Sequence, residues 1–336
     1  MKKASYPQFA ERLRKTAQTN RLPLRVMFEL TYQCNFRCAH CYVPASYKKE
    51  YKNRELSTVD VCRVLKQLKD AGCFYIGFTG GEVFTRPDIL DILSFAQACG
   101  FITTINTNGS LIDGPIVKHL KRLGVSKVDM TLPAVSEAAF SKVSGVTGAR
   151  DRVFNALQSL HKDGLGLGLK SCVLKNNFHE ITKIQALARR LGIFLRLDDT
   201  LFPTWEGDHK PFLLRRKLVA DKKIPQGKGC RQEQKTLLKT KEVFFCEAGS
   251  TQAAITPAGE LKFCLNINYP KIDILKIGFD RAWRRLNAMA ASVKIDDVFE
   301  CDTCSHQSRC GWCPGYSWIV TKTFTQCPKL HELYQA

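Results

Sequence analysis

From about residue 25 to residue 200 the chain alternates short apolar runs with longer stretches in which apolar residues recur three and four positions apart. The runs at 26–30, 74–78, 102–105, 128–132, 167–173 and 193–197 read as strands. The stretches at 57–72, 87–100, 115–123, 151–161 and 180–191 read as amphipathic helices. In the first helix Val61, Val64, Leu65 and Leu68 form the stripe, Ser57 with Asp60 three residues on forms a capping box, and Gly72 closes it. In the second, Pro87 opens the turn, Ile89, Leu90, Leu93 and Phe95 form the stripe, and Gly100 ends it. Residues 1–24 read as a basic, partly helical lead-in. Strands alternating with helices predict a parallel sheet with right-handed crossovers and sites at the C-terminal strand ends. Six such units fall short of the eight of a closed barrel. The expected core, residues 25–204, is therefore α/β: an open, partial (β/α)6 TIM-like barrel.

The rhythm stops after residue 198. Pro203, Gly207 and the basic run beyond them read as a linker over residues 205–240, and residues 241–336 as a cysteine-rich C-terminal domain. The chain has 336 residues, 44% of them hydrophobic, which is ample for a sizeable core. No apolar stretch is long enough for a membrane span, and the basic N-terminus has no apolar run after it, so a cytoplasmic location is expected. In that compartment fifteen cysteines read as metal ligands and buried thiols rather than disulfides. Cys62, Cys73, Cys99 and Cys172, set among apolar residues, read as buried thiols. The net charge of +20 reads as a soluble basic surface or as the footprint of an anionic partner, an acidic peptide or a carboxylate-rich small molecule. Nucleic acid is the least supported partner, since no motif for it is present and aromatics are not interleaved with the basic runs.

The chemistry concentrates in Cys34-Asn35-Phe36-Arg37-Cys38-Ala39-His40-Cys41, at the end of the first strand. Three thiolates in eight residues can reach one small object, zinc or an iron–sulfur cluster. Four irons held by three cysteines leave one iron without a protein ligand, where a small molecule can coordinate. Downstream, Gly80-Gly81-Glu82 follows the second strand, and its carboxylate can receive an ammonium. With this CxxxCxxC spacing and this GGE, the chain resembles the radical SAM enzymes.

The resemblance implies a [4Fe-4S] cluster on Cys34, Cys38 and Cys41 whose open iron binds S-adenosylmethionine. The cofactor is reductively split to a 5′-deoxyadenosyl radical that takes hydrogen from a substrate, with electrons from a donor such as flavodoxin or ferredoxin. It implies that Gly80, Gly81 and Glu82 bind the methionine amino group, that Asn108 lies near the ribose and carboxylate, and that Thr131 stands where relatives often have a serine contacting the same group. Asn108-Gly109 reads equally as a simple turn. His40 stands where the family prefers an aromatic against adenine; its other reading is a surface-loop histidine. Where relatives read Arg-Ile-Arg-Gly this chain has Lys142-Val143-Ser144-Gly145. The usual second arginine is thus a serine, which leaves Lys142 as the carboxylate partner to consider. Asp198 and Asp199, at the end of the sixth strand, read as a catalytic acid or base or as turn caps.

Seven of the fifteen cysteines lie from Cys246 onward: Cys246, Cys264, Cys301, Cys304, Cys310, Cys313 and Cys327. Their short spacings suit iron–sulfur clusters better than a zinc ribbon. They resemble the SPASM extension of radical SAM enzymes, with one residue fewer between Cys310 and Cys313. That resemblance implies two auxiliary [4Fe-4S] clusters, one on Cys246, Cys264 and Cys313, the other on Cys301, Cys304, Cys310 and Cys327. The first set lacks a fourth ligand, for which Cys230 or a substrate thiolate stands open. Enzymes of this architecture resemble maturases of peptides, so a peptide substrate is expected, acidic or brought by a separate recognition protein. The alternatives are tetrapyrrole or small-molecule oxidation or decarboxylation and, from another class, a non-catalytic iron–sulfur electron carrier.

Overall fold

A computed structural model describes residues 5–199, 201–216, 243–295, 299, 304 and 312–329. Six strands follow in chain order: β1 (Arg25–Thr31), β2 (Tyr75–Gly80), β3 (Ile102–Thr107), β4 (Lys127–Thr131), β5 (Leu167–Cys172) and β6 (Phe194–Asp198). Each pairs in parallel with the next, so one half of the sheet reads β6-β5-β4-β3-β2-β1. β6 does not pair back onto β1, so this row of strands stays open. This is the open partial barrel expected from the strand count.

The crossovers are made by α3 (Thr58–Asp70), α4 (Ile89–Ala98), α5 (Gly114–Arg122), α7 (Arg150–Lys162) and α8 (Ile181–Leu191). Ahead of α3 lie α1 (Tyr6–Asn20) and α2 (Ala45–Lys52), and α6 (Glu137–Ser144) precedes α7. In β4 the pleat puts Val128 and Met130 on the helix-covered face with no exposure, and leaves Lys127, Asp129 and Thr131 half-buried on the concave face. Val26, Phe28 and Leu30 of β1 join Val64, Leu65 and Leu68 of α3 in the same core. Each such side chain contributes roughly 2 kcal/mol of apolar burial. The concave face is instead polar: Lys127 and Lys170 both reach Asp129, at 2.7 and 3.2 Å, and Arg196 reaches Asp198 at 2.9 Å.

The C-terminal part adds strands to this sheet. β7 (Gln252–Ile255) pairs in parallel with the free side of β1, and β8 (Glu260–Lys262) and β9 (Ile272–Asp273) follow antiparallel, making a sheet of nine strands among the described residues. Around them stand the short α9 (Lys210–Leu213) and α10 (Ile274–Ile277), then α11 (Phe279–Ser292) and α12 (Pro314–Thr321). Residues 205–216, read from the sequence as the start of a linker, are packed against the rest of the chain: Trp205 is 7% exposed and Phe212 3%. Helix α2 occupies the stretch between the cysteine loop and α3, for which the pattern of apolar positions predicts no element. Its sequence, ASYKKEYK, buries only Tyr51, whose hydroxyl donates to Glu260 at 2.6 Å, so no apolar stripe announced it. Among the described residues no helix is long and apolar enough to cross a membrane.

Candidate active site

The cysteine loop is held from three sides. Two backbone N–H groups, Arg37 and Ala39, donate to the carbonyls of Ser144 and Val143 at 2.9 and 3.0 Å, so the C-terminus of α6 grips the loop. Gly145 caps that helix at φ +70°, and a Cβ there would lie 2.4 Å from the Arg37 carbonyl oxygen. From the other side, Gly81 and Glu82 N–H donate to the Thr31 and Gln33 carbonyls at 2.7 and 2.8 Å. A Cβ at Gly80 would sit 2.1 Å from the Thr31 carbonyl oxygen and one at Gly81 2.2 Å from that of Gln33. The two glycines are thus required by the close approach of β2 to the chain entering the loop. Third, Asn108 Nδ2 donates to Asn35 Oδ1 at 2.9 Å, and Asn108 Oδ1 accepts from Ser110 N–H at 2.9 Å.

Glu82 is completely buried. Burial pushes its carboxyl up, while the Asn108 N–H at 2.7 Å, the Thr107 hydroxyl at 2.7 Å and the Phe84 N–H at 3.2 Å hold it in place. A carboxylate set beside three thiols is suited to receive a cation. Among the thiols, burial pushes Cys38 well above its usual range, with Cys41 and Cys34 adding to it; Cys34 is pushed up by burial as well, against the N–H of Phe36. Cys38 feels both Cys41 and Cys34, and Cys34 feels Cys41, so the three converge. Thiol-only donors in an apolar setting fit an iron–sulfur cluster. No three His, Cys, Asp or Glu side chains among the described residues close around a single metal ion.

His40 turns inward. Its Nδ1 is buried with no hydrogen-bond partner among the described residues, and burial lowers the ring to about 4, opposed by Asp198. The surface-loop reading of His40 is therefore corrected. Cys172, at the end of β5 and opposite Asp198 in the register, also faces this space; burial, then Asp198, pushes its thiol up to about 12. Thr131 ends β4 on the concave face, half-buried. Asp198 accepts from Arg196, and the Asp199 carbonyl accepts from the Arg215 guanidinium. Lys142 is exposed, and the Ser144 hydroxyl is turned to the Val146 backbone. Cys73 is buried as expected, while Cys62 and Cys99 are half-buried.

In the C-terminal part Cys246, Cys264 and Cys313 come together. Burial pushes Cys313 well up, and Cys246 and Cys264 add to it. Cys313 is the N-cap of α12, Cys264 follows β8, and Cys246 precedes β7. Cys327 accepts from the Lys329 N–H at 3.4 Å, and Cys304 is half-buried. Cys230, Cys301 and Cys310 lie outside the described residues.

With a three-thiol loop at the C-terminal end of β1 and a buried carboxylate at the end of β2, residues 28–188 of the chain match the Radical SAM superfamily. The chain is similar to PqqA peptide cyclase of Gluconobacter oxydans, 31% identical over 170 residues, 51% of this chain and 47% of that protein. It is also similar to AdoMet-dependent heme synthase of Methanosarcina barkeri, 30% identical over 198 residues, 57% and 54% of the two chains. The chain spans about half the length of these two relatives. With the mycofactocin maturase MftC of Mycobacterium tuberculosis it is 25% identical over 333 residues, 91% of this chain and 81% of that one. Its fold is that of Streptococcus suis SuiB, solved bound to the precursor peptide SuiA, at a TM-score of 0.69 and 18% identity over 98% of this chain and 81% of SuiB.

Proposed function

We propose that this chain is a radical SAM enzyme with auxiliary clusters that modifies a peptide. The observation that carries the reading is the buried Glu82 carboxylate beside the converging Cys34, Cys38 and Cys41 at adjacent strand ends. In this reading the three cysteines hold the cluster, Glu82 with Gly80 and Gly81 receives the methionine ammonium, and His40, Asn108 and Thr131 line the nucleoside side. The cluster supplies reductive cleavage of S-adenosylmethionine to the 5′-deoxyadenosyl radical. Asp198 or Asp199 takes or gives a proton at the substrate.

Cys246, Cys264 and Cys313 hold one auxiliary cluster, and Cys301, Cys304, Cys310 and Cys327 the other. The peptide is supported by the names of PqqA peptide cyclase and the maturase MftC, the latter matched along nearly all of this chain. An acidic peptide suits the concave face, where Lys127, Lys170 and Arg196 outnumber Asp129 and Asp198. A ferredoxin or flavodoxin is the electron donor and a separate protein presents the peptide, in the cytoplasm.

The test is anaerobic reconstitution followed by S-adenosylmethionine, reductant and candidate acidic peptides. About twelve irons per chain, deoxyadenosine release and a changed peptide mass support the reading; deoxyadenosine without any peptide change shifts it to the second. That second reading, tetrapyrrole side-chain chemistry, is favoured by the similarity to heme synthase, and loss of mass from a propionate side chain identifies it.

A further inference from the structure

Between the two groups of thiols lies a buried cluster of aromatic and charged side chains centred on Trp205. Its backbone N–H donates at 3.2 Å to the carbonyl of Tyr42, the residue after Cys41. Its indole Nε1 donates at 3.1 Å to the carbonyl of Asn266, whose own N–H is bonded to the Cys264 sulfur. One residue thus reaches both loops, by its backbone at Tyr42 and by its indole at Asn266. The indole also packs against Tyr32, Tyr42 and Tyr47, with ring centres 5.4, 5.5 and 5.5 Å away.

On one face of the indole, 4.3 Å from its centre, sits the Lys262 ammonium. Lys262 is ion-paired with Glu29 at 2.7 Å, the two being 0% and 1% exposed, and the Tyr32 hydroxyl donates to the same carboxylate at 2.9 Å. Burial pushes the Glu29 carboxyl up while Lys262 opposes the rise. Burying such a pair costs desolvation that mutual attraction offsets only with close geometry and further partners; the Lys262 ammonium makes no hydrogen bond among the described residues beyond its ion pair, so the indole face is its remaining neighbour. Trp205 closes the box, and the cation above its ring adds attraction. The two charges belong to the two halves of the site: Glu29 lies on β1, which runs into Cys34, and Lys262 on β8, which runs into Cys264.

We propose that Trp205 is a positioning residue that locks the loop carrying Cys41 and the loop carrying Cys264 to each other, so that the two thiol groups form one built unit. The lock's functional meaning rests on the reading of both groups as cluster sites; the lock itself belongs to the metal-free chain. Loss of the indole frees both loops, and the Lys262–Glu29 pair loses its cover.

The experiment uses the full chain, stripped of metal and kept anaerobic, and follows N-ethylmaleimide labelling of each cysteine by peptide-resolved mass spectrometry. Trp205→Leu keeps the backbone bond to Tyr42 but removes the indole bond to Asn266 and the ring packing on Tyr32, Tyr42 and Tyr47, and is expected to label Cys41 and Cys264 at least about fivefold faster, the factor that losing about one hydrogen bond or a comparable set of ring contacts gives a local opening equilibrium. Cys62 and Cys99 keep their rates. Trp205→Phe keeps a ring but not the N–H, and is expected to accelerate Cys264 more than Cys41. Acceleration of only one of the two loops by Trp205→Leu, or of neither, overturns the proposal. If Trp205→Leu also accelerates Cys62 and Cys99, Trp205→Phe decides: a rise confined to Cys264 and Cys41 upholds the lock, and unchanged rates at both refute it. No iron enters this measurement, so its failure is separate from failure of the radical reading, which shows in iron content and deoxyadenosine.

Discussion

The two groups of thiols are built in opposite ways. Cys34, Cys38 and Cys41 stand in one short loop, and their neighbours serve to hold that loop still: α6 grips it by two backbone bonds, β2 by two more, and Asn108 by its side chain. Cys246, Cys264 and Cys313 come from before β7, after β8 and the start of α12, and only the sheet brings them together. The first group is a local motif with tertiary support. The second is a tertiary object whose parts carry little meaning alone.

That contrast yields graded outcomes. The largest is expected from Cys38→Ala, which leaves the local motif without a ligand: deoxyadenosine release is abolished and iron falls by about four per chain. Retained release would break the distinction at once. Gly81→Ala attacks the support instead. The added methyl meets the Gln33 carbonyl at 2.2 Å, and a loss of roughly 2–4 kcal/mol in denaturant unfolding is expected. Gly114→Ala, where nothing lies within 4 Å, is the control and should change stability by less than about 0.5 kcal/mol.

Cys313→Ala is aimed at the tertiary group. Iron is expected to fall by about four while S-adenosylmethionine is still cleaved, so that deoxyadenosine forms without the finished product. Equal loss of deoxyadenosine would show that the two groups do not work separately.

The smallest effect concerns the cradle behind the loop. Glu180 is 1% exposed. Burial opposes its ionisation, but Lys183 and the N–H groups of Ser136 and Val135, the residues leading into α6, together lower its carboxyl to about 2. Its folded value lies below its unfolded one, so the stabilisation is present above about pH 4.5 and is lost as pH falls towards 2. Up to about 3 kcal/mol is at stake. Urea unfolding between pH 6 and 3 should show this loss in the wild type and a smaller one in Glu180→Gln.

Much of the core could be read directly because its signals are local. The strand ending at Leu30, the stripe Val61, Val64, Leu65 and Leu68, and the glycine after each helix are set by spacing within a few residues. Helix α2 escaped because a helix that buries one tyrosine shows no stripe. Trp205 escaped because Pro203 and Gly207 around it are turn residues, and turn chemistry says nothing about what the intervening side chain meets. His40 kept a surface-loop reading beside the one the resemblance implies, since one histidine in a loop has no periodicity to orient it.

The sequence by itself determined the strands β1 to β6 and the helices α3, α4, α5, α7 and α8 between them, the parallel order of those strands, and a three-thiol loop delivered at the end of the first. These follow from nearest neighbours along the chain and from the handedness of L-residues. Only the tertiary structure decided that Glu82 is buried against Thr107 and Asn108, that Gly80 and Gly81 are glycines because β2 presses on the chain entering the loop, that Cys246, Cys264 and Cys313, grouped beforehand by resemblance alone, meet through the sheet, and that Trp205 joins the two groups. Each of these depends on contacts between segments far apart in the chain, where burial and the packing of one backbone against another set the geometry and spacing along the sequence does not.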